Sequence, residues 1–425
     1  MTGPRPGTIA LTDAAQVLTL AGPAGARAGA EMRELGILEH ATLVIEDKKL
    51  AWVGAHEQFT ARREAGEFAG AQVHDCRGKV LMPALVDPHT HLVWAGDRRD
   101  ELELRLRGAD YEEIFAAGGG ILSSVRQTRA ASEDQLYGQS LARITRMRAC
   151  GATTFEIKSG YGLELEAELR QLRVARRLRD EAGFRIKTTC LAAHAIPEEA
   201  RGSEAARASF IERICEQILP AVVEAGLADY ADVFCDRGAF TRDEAAKVLA
   251  RAVALGLELR VHANEFGHTG GAELAAEFRA RSADHLLHLS DGERAALREA
   301  GVTATLLPGT SLVLAKPYAN GRALVEAGVP VAVASDCNPG SCALENLAMV
   351  LGLACYGCKL TPAEAIVAAT HNAAVSLGLG DEVGRLAPGL DADLLVLETD
   401  DYRDLVYHAG SPLVREVWSR GQRVA

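Results

Sequence analysis

The chain has no run of about 18 consecutive apolar residues, the length a membrane-spanning helix needs, so no membrane span is expected. Residues 1–10 carry one arginine and two prolines but no continuous apolar stretch, and no signal peptide is expected there. A cytoplasmic location follows as the default. Positive charge is in deficit: 46 Lys and Arg stand against 58 Asp and Glu, a formal net charge of −12 with an isoelectric point near 5.6. That balance argues against a nucleic-acid or anionic-membrane partner. It also means that an anionic small molecule would need local positive groups to be held.

A disulfide framework is missing too. The nine cysteines, Cys76, Cys150, Cys190, Cys215, Cys235, Cys337, Cys342, Cys355 and Cys358, are odd in number and scattered. Cys355-Tyr356-Gly357-Cys358 is a C-x-x-C, but no second pair lies at zinc-finger spacing, and its place at the end of a helical pattern over 344–354 reads as packing. Gly118-Gly119-Gly120 has neither the preceding strand nor the following lysine of a phosphate-binding loop. Internal repeats and low-complexity tracts are absent; the Ala/Arg/Glu-rich stretches read as helix faces.

What is present is an ordinary globular composition, 48% hydrophobic and 24% charged, in 425 residues, enough for one large barrel with an appendage. Residues 1–82 hold short strand-like runs such as Ala41-Thr42-Leu43-Val44-Ile45-Glu46 and Leu50-Ala51-Trp52-Val53-Gly54, with a hairpin turn at Asp47-Lys48-Lys49 between them. Beyond them, strand candidates at 84–94, 152–158, 187–194, 230–234, 258–263, 283–285, 303–307 and 329–335 alternate with amphipathic helical stretches such as 163–182 and 204–225. Such alternation predicts an α/β fold, a (β/α)8 TIM-like barrel over 83–382. From Gly384 onward strand-like runs return, at 392–397 and 413–418. They are expected to join residues 1–82 in a small β-sandwich domain made of 1–82 and 383–425.

Chemistry-bearing residues cluster where such a barrel keeps its active site, at the C-terminal ends of strands. The first strand ends in Asp87-Pro88-His89-Thr90-His91. Strand side chains alternate faces, so His89 and His91 point the same way and can share one metal ion. Two unrelated surface histidines would give the same short motif. Other strand ends carry His194, then His262-Ala263-Asn264-Glu265, then Asp284-His285, then Ser335-Asp336-Cys337-Asn338-Pro339-Gly340. Histidines and an aspartate on successive strand ends can converge on one ion.

The His89-Thr90-His91 strand after Met82-Pro83-Ala84-Leu85-Val86-Asp87, with the tail Gly384-Arg385-Leu386-Ala387-Pro388-Gly389-Leu390-Asp391-Ala392-Asp393-Leu394, resembles the amidohydrolase superfamily. Within it, several segments resemble the imidazolonepropionase family: His91-Leu92-Val93-Trp94-Ala95-Gly96-Asp97-Arg98, Glu156-Ile157-Lys158-Ser159-Gly160-Tyr161-Gly162-Leu163, Ala193-His194-Ala195-Ile196-Pro197, His262-Ala263-Asn264-Glu265-Phe266 and Ser335-Asp336-Cys337-Asn338-Pro339-Gly340-Ser341. One departure is Asn264, where the family leads one to expect Asp.

This resemblance implies metal-dependent hydrolysis of the cyclic amide of 4-imidazolone-5-propanoate to N-formimidoyl-L-glutamate, in histidine degradation. It implies one metal ion, zinc or iron, and a homodimer. His89, His91, His262 and Asp336 form the expected ligand set, which leaves a position open for water. Asp336, Glu265 and His285 are the candidates for moving protons and polarising the carbonyl; the lesser alternative for Glu265 is an exposed loop carboxylate, and for His285 a hydrogen bond to a ligand fits as well. Arg98 is implied as the residue that captures the substrate carboxylate through a two-pronged contact, against the alternative of a solvated loop arginine. Tyr161, His194 and Glu265 are implied contacts to the ring and carboxylate, and Asn338, Gly340 and Ser341 would hold the other end. Lys158 reads as structural or near the site rather than as a carboxylated bridge between two metals. Two other readings stay open: an aminohydrolase acting on a purine or pyrimidine, and a non-catalytic scaffold on the same fold.

Overall fold

A computed structural model describes residues 7–108 and 119–425. Residues 1–6 and Gly118, parts of two stretches read from the sequence, lie outside the described residues. The strands in chain order are β1 (Ile9–Leu18), β2 (Ile37–Glu46), β3 (Lys49–Ala55), β4 (Gln72–Asp75) and β5 (Val80–Pro83); β6 (Leu85–Asp87), β7 (Ala152–Lys158), β8 (Arg185–Ala193), β9 (Tyr230–Cys235), β10 (Glu258–Ala263), β11 (Ser282–His285), β12 (Thr303–Leu306) and β13 (Val331–Val333); then β14 (Leu394–Leu397), β15 (Val414–Ser419) and β16 (Gln422–Arg423).

β6 to β13 form one parallel sheet in chain order, with helices between most neighbours, the (β/α)8 arrangement. The seam between its first and last strands closes beyond β6 and β13, on the C-terminal side. There Asp336 N–H donates to the His89 carbonyl at 3.1 Å and His91 N–H to the Cys337 carbonyl at 3.0 Å. Ring closure and site assembly are therefore one event: the backbone bonds that close the barrel set two histidines beside an aspartate.

The first strand is shorter than 84–94 because Pro88 has no N–H for a ladder. Past it the chain stays pinned by side chains: Ser140 and Arg143 donate to the Leu92 carbonyl, both at 3.1 Å, and Arg143 donates to that of Trp94 at 3.0 Å. The helix expected over 204–225 is interrupted by one wide turn, Ile214–Ile218, between Glu204–Arg213 and Leu219–Glu224. Pro220 cannot donate to the carbonyl four residues back, which accounts for the break. The helix near the C-x-x-C begins at Leu347, capped by the Asn346 side chain, and runs to Tyr356. All nine cysteines are free thiols. Burial pushes Cys355 and Cys358 up to about 12, which leaves them protonated and supports packing over redox chemistry.

The N- and C-terminal segments join in one continuous mixed sheet, ordered β16-β15-β14-β5-β1-β2-β3 with β4 also on β1. Its joining ladder is β5 against β14, with Leu81 opposite Val396 and Met82 opposite Leu395. Leu11, Leu43, Leu81, Leu394 and Trp418 share one buried cluster, so both ends of the chain build one core. The β2–β3 hairpin turns on Asp47 and Lys48, both at positive φ, while Lys49 already pairs with Glu46. No helix among the described residues is long and apolar enough to cross a membrane.

Glu364 ties the N-terminal segment to the barrel. It closes a capping box with Thr361 at the start of helix Pro362–Ala368, and its carboxylate accepts from Arg33 at 3.0 Å and from Arg322. Burial alone would raise its pKa, but Arg322, Thr361 and Arg33 together hold it at about 2, against an ordinary 4.5. A carboxylate depressed by folding stabilises the fold above its unfolded pKa and loses that contribution as pH falls through the folded one. The gap in thermal midpoint between wild type and Glu364→Gln is therefore expected to narrow steadily from about pH 6 to about pH 3. A constant gap over that range would show that the ion pairs do not carry it.

Candidate active site

His89, His91 and His262 come together at the mouth of the barrel, each offering a ligand atom within 4.8 Å of the others. His89 and His91 follow β6, and His262 lies near the end of β10. Asp336 follows β13, with its backbone at positive φ, and places Oδ1 3.5 Å from Nε2 of both His89 and His91. All four residues are buried. Nε2 of His89 and of His262 are buried with no hydrogen-bond partner, a costly arrangement for polar atoms unless something else takes their lone pairs. Burial first, then Lys158 beside His89 and the surrounding imidazoles beside His91, lowers both well below 6.5, so both imidazoles are neutral at pH 7, the ligand form. Three histidines and one carboxylate around one point fit a single divalent cation.

Carboxylates hold these ligands from behind. Asp284 Oδ2 lies 2.7 Å from His89 Nδ1, and Asp232 Oδ2 lies 2.9 Å from His262 Nδ1. An Nδ1–H directed at Asp284 leaves His89 Nε2 facing the centre, while the Asp232–His262 contact is electrostatic. Between the two carboxylates sits the Lys158 ammonium, 2.8 Å from Asp232, 3.7 Å from Asp284 and 2.9 Å from Glu156. Arg260, also fully buried, lies 3.9 Å from Asp284 and from Glu156 and donates to the Pro88 carbonyl at 2.9 Å. Burial opposes every one of these charges, yet Lys158 stays raised by Asp232 and Glu156, and Asp232 stays lowered by His262 and Lys158. Asp232, His262 and Asp284 also meet the spacing for a cation. Lys158 already supplies that positive charge; carboxylation would instead set a further anion among three carboxylates. The structure thus favours one ion over two.

Glu265 follows β10, its backbone N–H and that of Phe266 both donating to Asp236 Oδ2, at 2.6 and 2.9 Å. Burial, then the Asp336 charge, raises Glu265 well above 4.5, which favours its protonated form. His285 Nε2 lies 3.6 Å from Glu265 Oε2, and burial keeps this imidazole neutral. Asp336 is raised to about 6 by burial, against a hydrogen bond from Thr310 Oγ1 at 2.5 Å. The site therefore offers a proton donor and a proton acceptor side by side, their acidities set apart by their surroundings.

Asn264 is accounted for by its neighbours. Its amide donates to Glu293 Oε1 at 2.6 Å and to the His288 carbonyl at 2.8 Å. An aspartate here would face Glu293 carboxylate to carboxylate, so the asparagine suits this chain.

The predicted contact residues ring the same opening. His194 stacks on His91 with ring centroids 4.9 Å apart, and its Nδ1 meets the Gly160 carbonyl at 3.0 Å. Tyr161 lies edge-on to His194 at 5.4 Å. The loop that carries Tyr161 is built around buried Glu168, which accepts from the backbones of Gly160, Gly162 and Leu163. Gly160 sits at positive φ, where a Cβ would come within 2.9 Å of His194 Nδ1, so this glycine is obligatory. Asn338 folds its own loop: its Oδ1 accepts from Gly340 N–H and Ser341 N–H, at 2.8 and 2.7 Å, and its Nδ2 donates to the Asp336 carbonyl. Both ends of that amide are thus engaged within the loop, which sets Gly340 beside Arg98. Arg98 differs from the expected open fork: Nε and Nη2 both donate to Glu101 Oε2, at 2.8 and 2.6 Å. It is neither a solvated loop residue nor free to grip a second carboxylate with the same edge.

The sequence assigns no role to Asp232, Asp236, Glu156, Arg260, Thr310, Glu101 or Glu168. Glu101 was discoverable, standing three residues after Arg98 on a helical pattern. The strand carboxylates carry no local signal, because a strand pattern does not say which side chain faces the barrel interior.

The model of the amidohydrolase family matches residues 80–424. An imidazolonepropionase of Geobacillus kaustophilus (strain HTA426) is 45% identical over 398 residues, 93% of each chain. One of Symbiobacterium thermophilum is 43% identical over 422 residues, 99% of this chain and 98% of the relative. Among solved structures, guanine deaminase from E. coli superposes with a TM-score of 0.74 at 16% identity, over 98% of this chain and 99% of that one. A triazine hydrolase variant gives 0.73 at 17%, over 98% and 94%. These last two speak to the fold alone.

Proposed function

The chain belongs to the amidohydrolase family and, within it, to the imidazolonepropionases, and from that premise we propose how its residues divide the work. The reaction is hydrolysis of the cyclic amide of 4-imidazolone-5-propanoate to N-formimidoyl-L-glutamate, in histidine degradation. The observation that carries the assignment of roles is the convergence of His89, His91, His262 and Asp336 on one point, with the buried Glu265 carboxyl 3.6 Å from His285. A zinc or iron ion held by those four residues would supply Lewis acidity towards the carbonyl and lower the pKa of water. Asp336, made less acidic by burial, takes a proton from the attacking water. His285, neutral and within reach of Glu265, polarises the ring carbonyl. Glu265 passes its proton to the ring nitrogen as the amide C–N bond breaks, so one water is consumed and no charge accumulates on the leaving nitrogen. Tyr161 and His194 hold the ring. Arg98, with Gly340 and Ser341, receives the propanoate end, and Asn338 shapes that loop.

The remaining readings are a homodimer, a cytoplasmic location, no nucleic-acid partner and a division into a barrel at 83–382 and a composite β-domain at 1–82 and 383–425. The net charge of −12 supports the third, and the partition of the two sheets supports the last. Turnover is tested on 4-imidazolone-5-propanoate, guanine and cytosine in parallel. Opening of the imidazolone with neither base deaminated is expected; deamination of a base without imidazolone turnover would replace this reading with an aminohydrolase.

A further inference from the structure

Arg98 and Arg105 are seven residues apart, on the same face of helix Arg99–Leu106 and the residue before it. Both reach Gly340. Arg105 Nη2 donates to the Gly340 carbonyl at 3.1 Å. Arg98 lies so close to the other side that a Cβ on Gly340 would sit 1.8 Å from its Nη1. Two guanidinium groups thus bracket one glycine in the loop that follows the metal-ligating aspartate.

Their counter-charge is incomplete. Glu101 gives Oε2 to Arg98 and takes Gly120 N–H on Oε1 at 2.9 Å, so both its oxygens are committed. Arg105 has no carboxylate partner among the described residues, and its Nε is buried without a hydrogen-bond acceptor. Burial and the nearby Arg98 charge both pull its pKa down, as expected of a cation short of an anion. Two cations and one carboxylate leave one positive charge, which matches the single carboxylate of the propanoate tail.

We propose that Arg105 is a specificity-determining residue, which with Arg98 forms the seat for the substrate's carboxylate around Gly340, while Glu101 is the positioning residue that fixes Arg98. The proposal deepens the assignment above and rests on the substrate being a propanoate. It places the open cation on Arg105 and reduces Arg98 to its remaining Nη1 edge.

The test uses metal-loaded full-length protein. Binding of the inert ligand 3-(imidazol-4-yl)propanoate and of its carboxamide is measured by calorimetry for wild type, Arg105→Gln and Arg105→Lys, alongside turnover. For Arg105→Gln, affinity for the acid should fall about tenfold or more while affinity for the amide changes less than about twofold. The loss in kcat/KM should sit in KM, metal content should stay at the wild-type level, and Arg105→Lys should recover part of the acid preference. Equal losses for acid and amide would mean that Arg105 only braces the Gly340 loop, and undiminished acid binding would place the seat elsewhere; either result overturns the proposal. If wild type prefers the acid through Arg105 yet opens no imidazolone, the reaction assignment fails and the seat stands.

Discussion

Replacing His262 with alanine is expected to abolish bound metal and turnover together. His262 supplies one of three clustered imidazole nitrogens, and its Nε2 has no other partner. Loss of a hydrogen-bond partner behind a ligand already costs a metal site up to about 100-fold in affinity, and loss of the ligand itself must exceed that. The fold should survive, because Asp232 keeps Lys158 at 2.8 Å when the imidazole is gone. Metal content by elemental analysis and turnover are read on the same sample. Full occupancy with full activity would overturn the ligand assignment.

Glu265→Gln separates chemistry from binding. The amide has the same shape and can still donate a hydrogen bond, but it cannot give up a proton at neutral pH. Metal and fold should be retained, since Glu265 is not among the clustered ligands and its backbone is held by Asp236 independently of the side chain. The turnover number should fall by about 10²–10⁴, the usual size of a general acid–base contribution. Near-normal turnover would move the proton transfer to His285 or Asp336.

Much of this architecture was legible from residue order. The strands at Ala152–Lys158 and Glu258–Ala263 are bounded as their patterns suggest, because each is an apolar-rich run flanked by helical periodicity. His89, His91, His262 and Asp336 were visible as polar residues at the ends of such runs, where a barrel exposes its mouth. Boundaries failed where backbone chemistry intervened. Pro88 cut the first strand short, and Pro220 opened a wide turn inside a helix. The buried charge cluster of Glu156, Lys158, Asp232, Arg260 and Asp284 was hidden for another reason. Its members come from four different strands, β7, β9, β10 and β11, and only closure of the barrel makes them neighbours. Likewise the pairing of Arg98 with Glu101, which shifts the open cation to Arg105, depends on side-chain direction that spacing permits but does not choose.

The central claim is that one metal ion, held by His89, His91, His262 and Asp336, makes this chain a hydrolase of 4-imidazolone-5-propanoate. The most direct measurement is turnover of that compound by protein stripped with a chelator and then titrated with zinc or iron. The account predicts negligible turnover before addition, a linear rise, and a plateau at one equivalent per chain. Full turnover by stripped protein, or a plateau reached only at two equivalents, would contradict it.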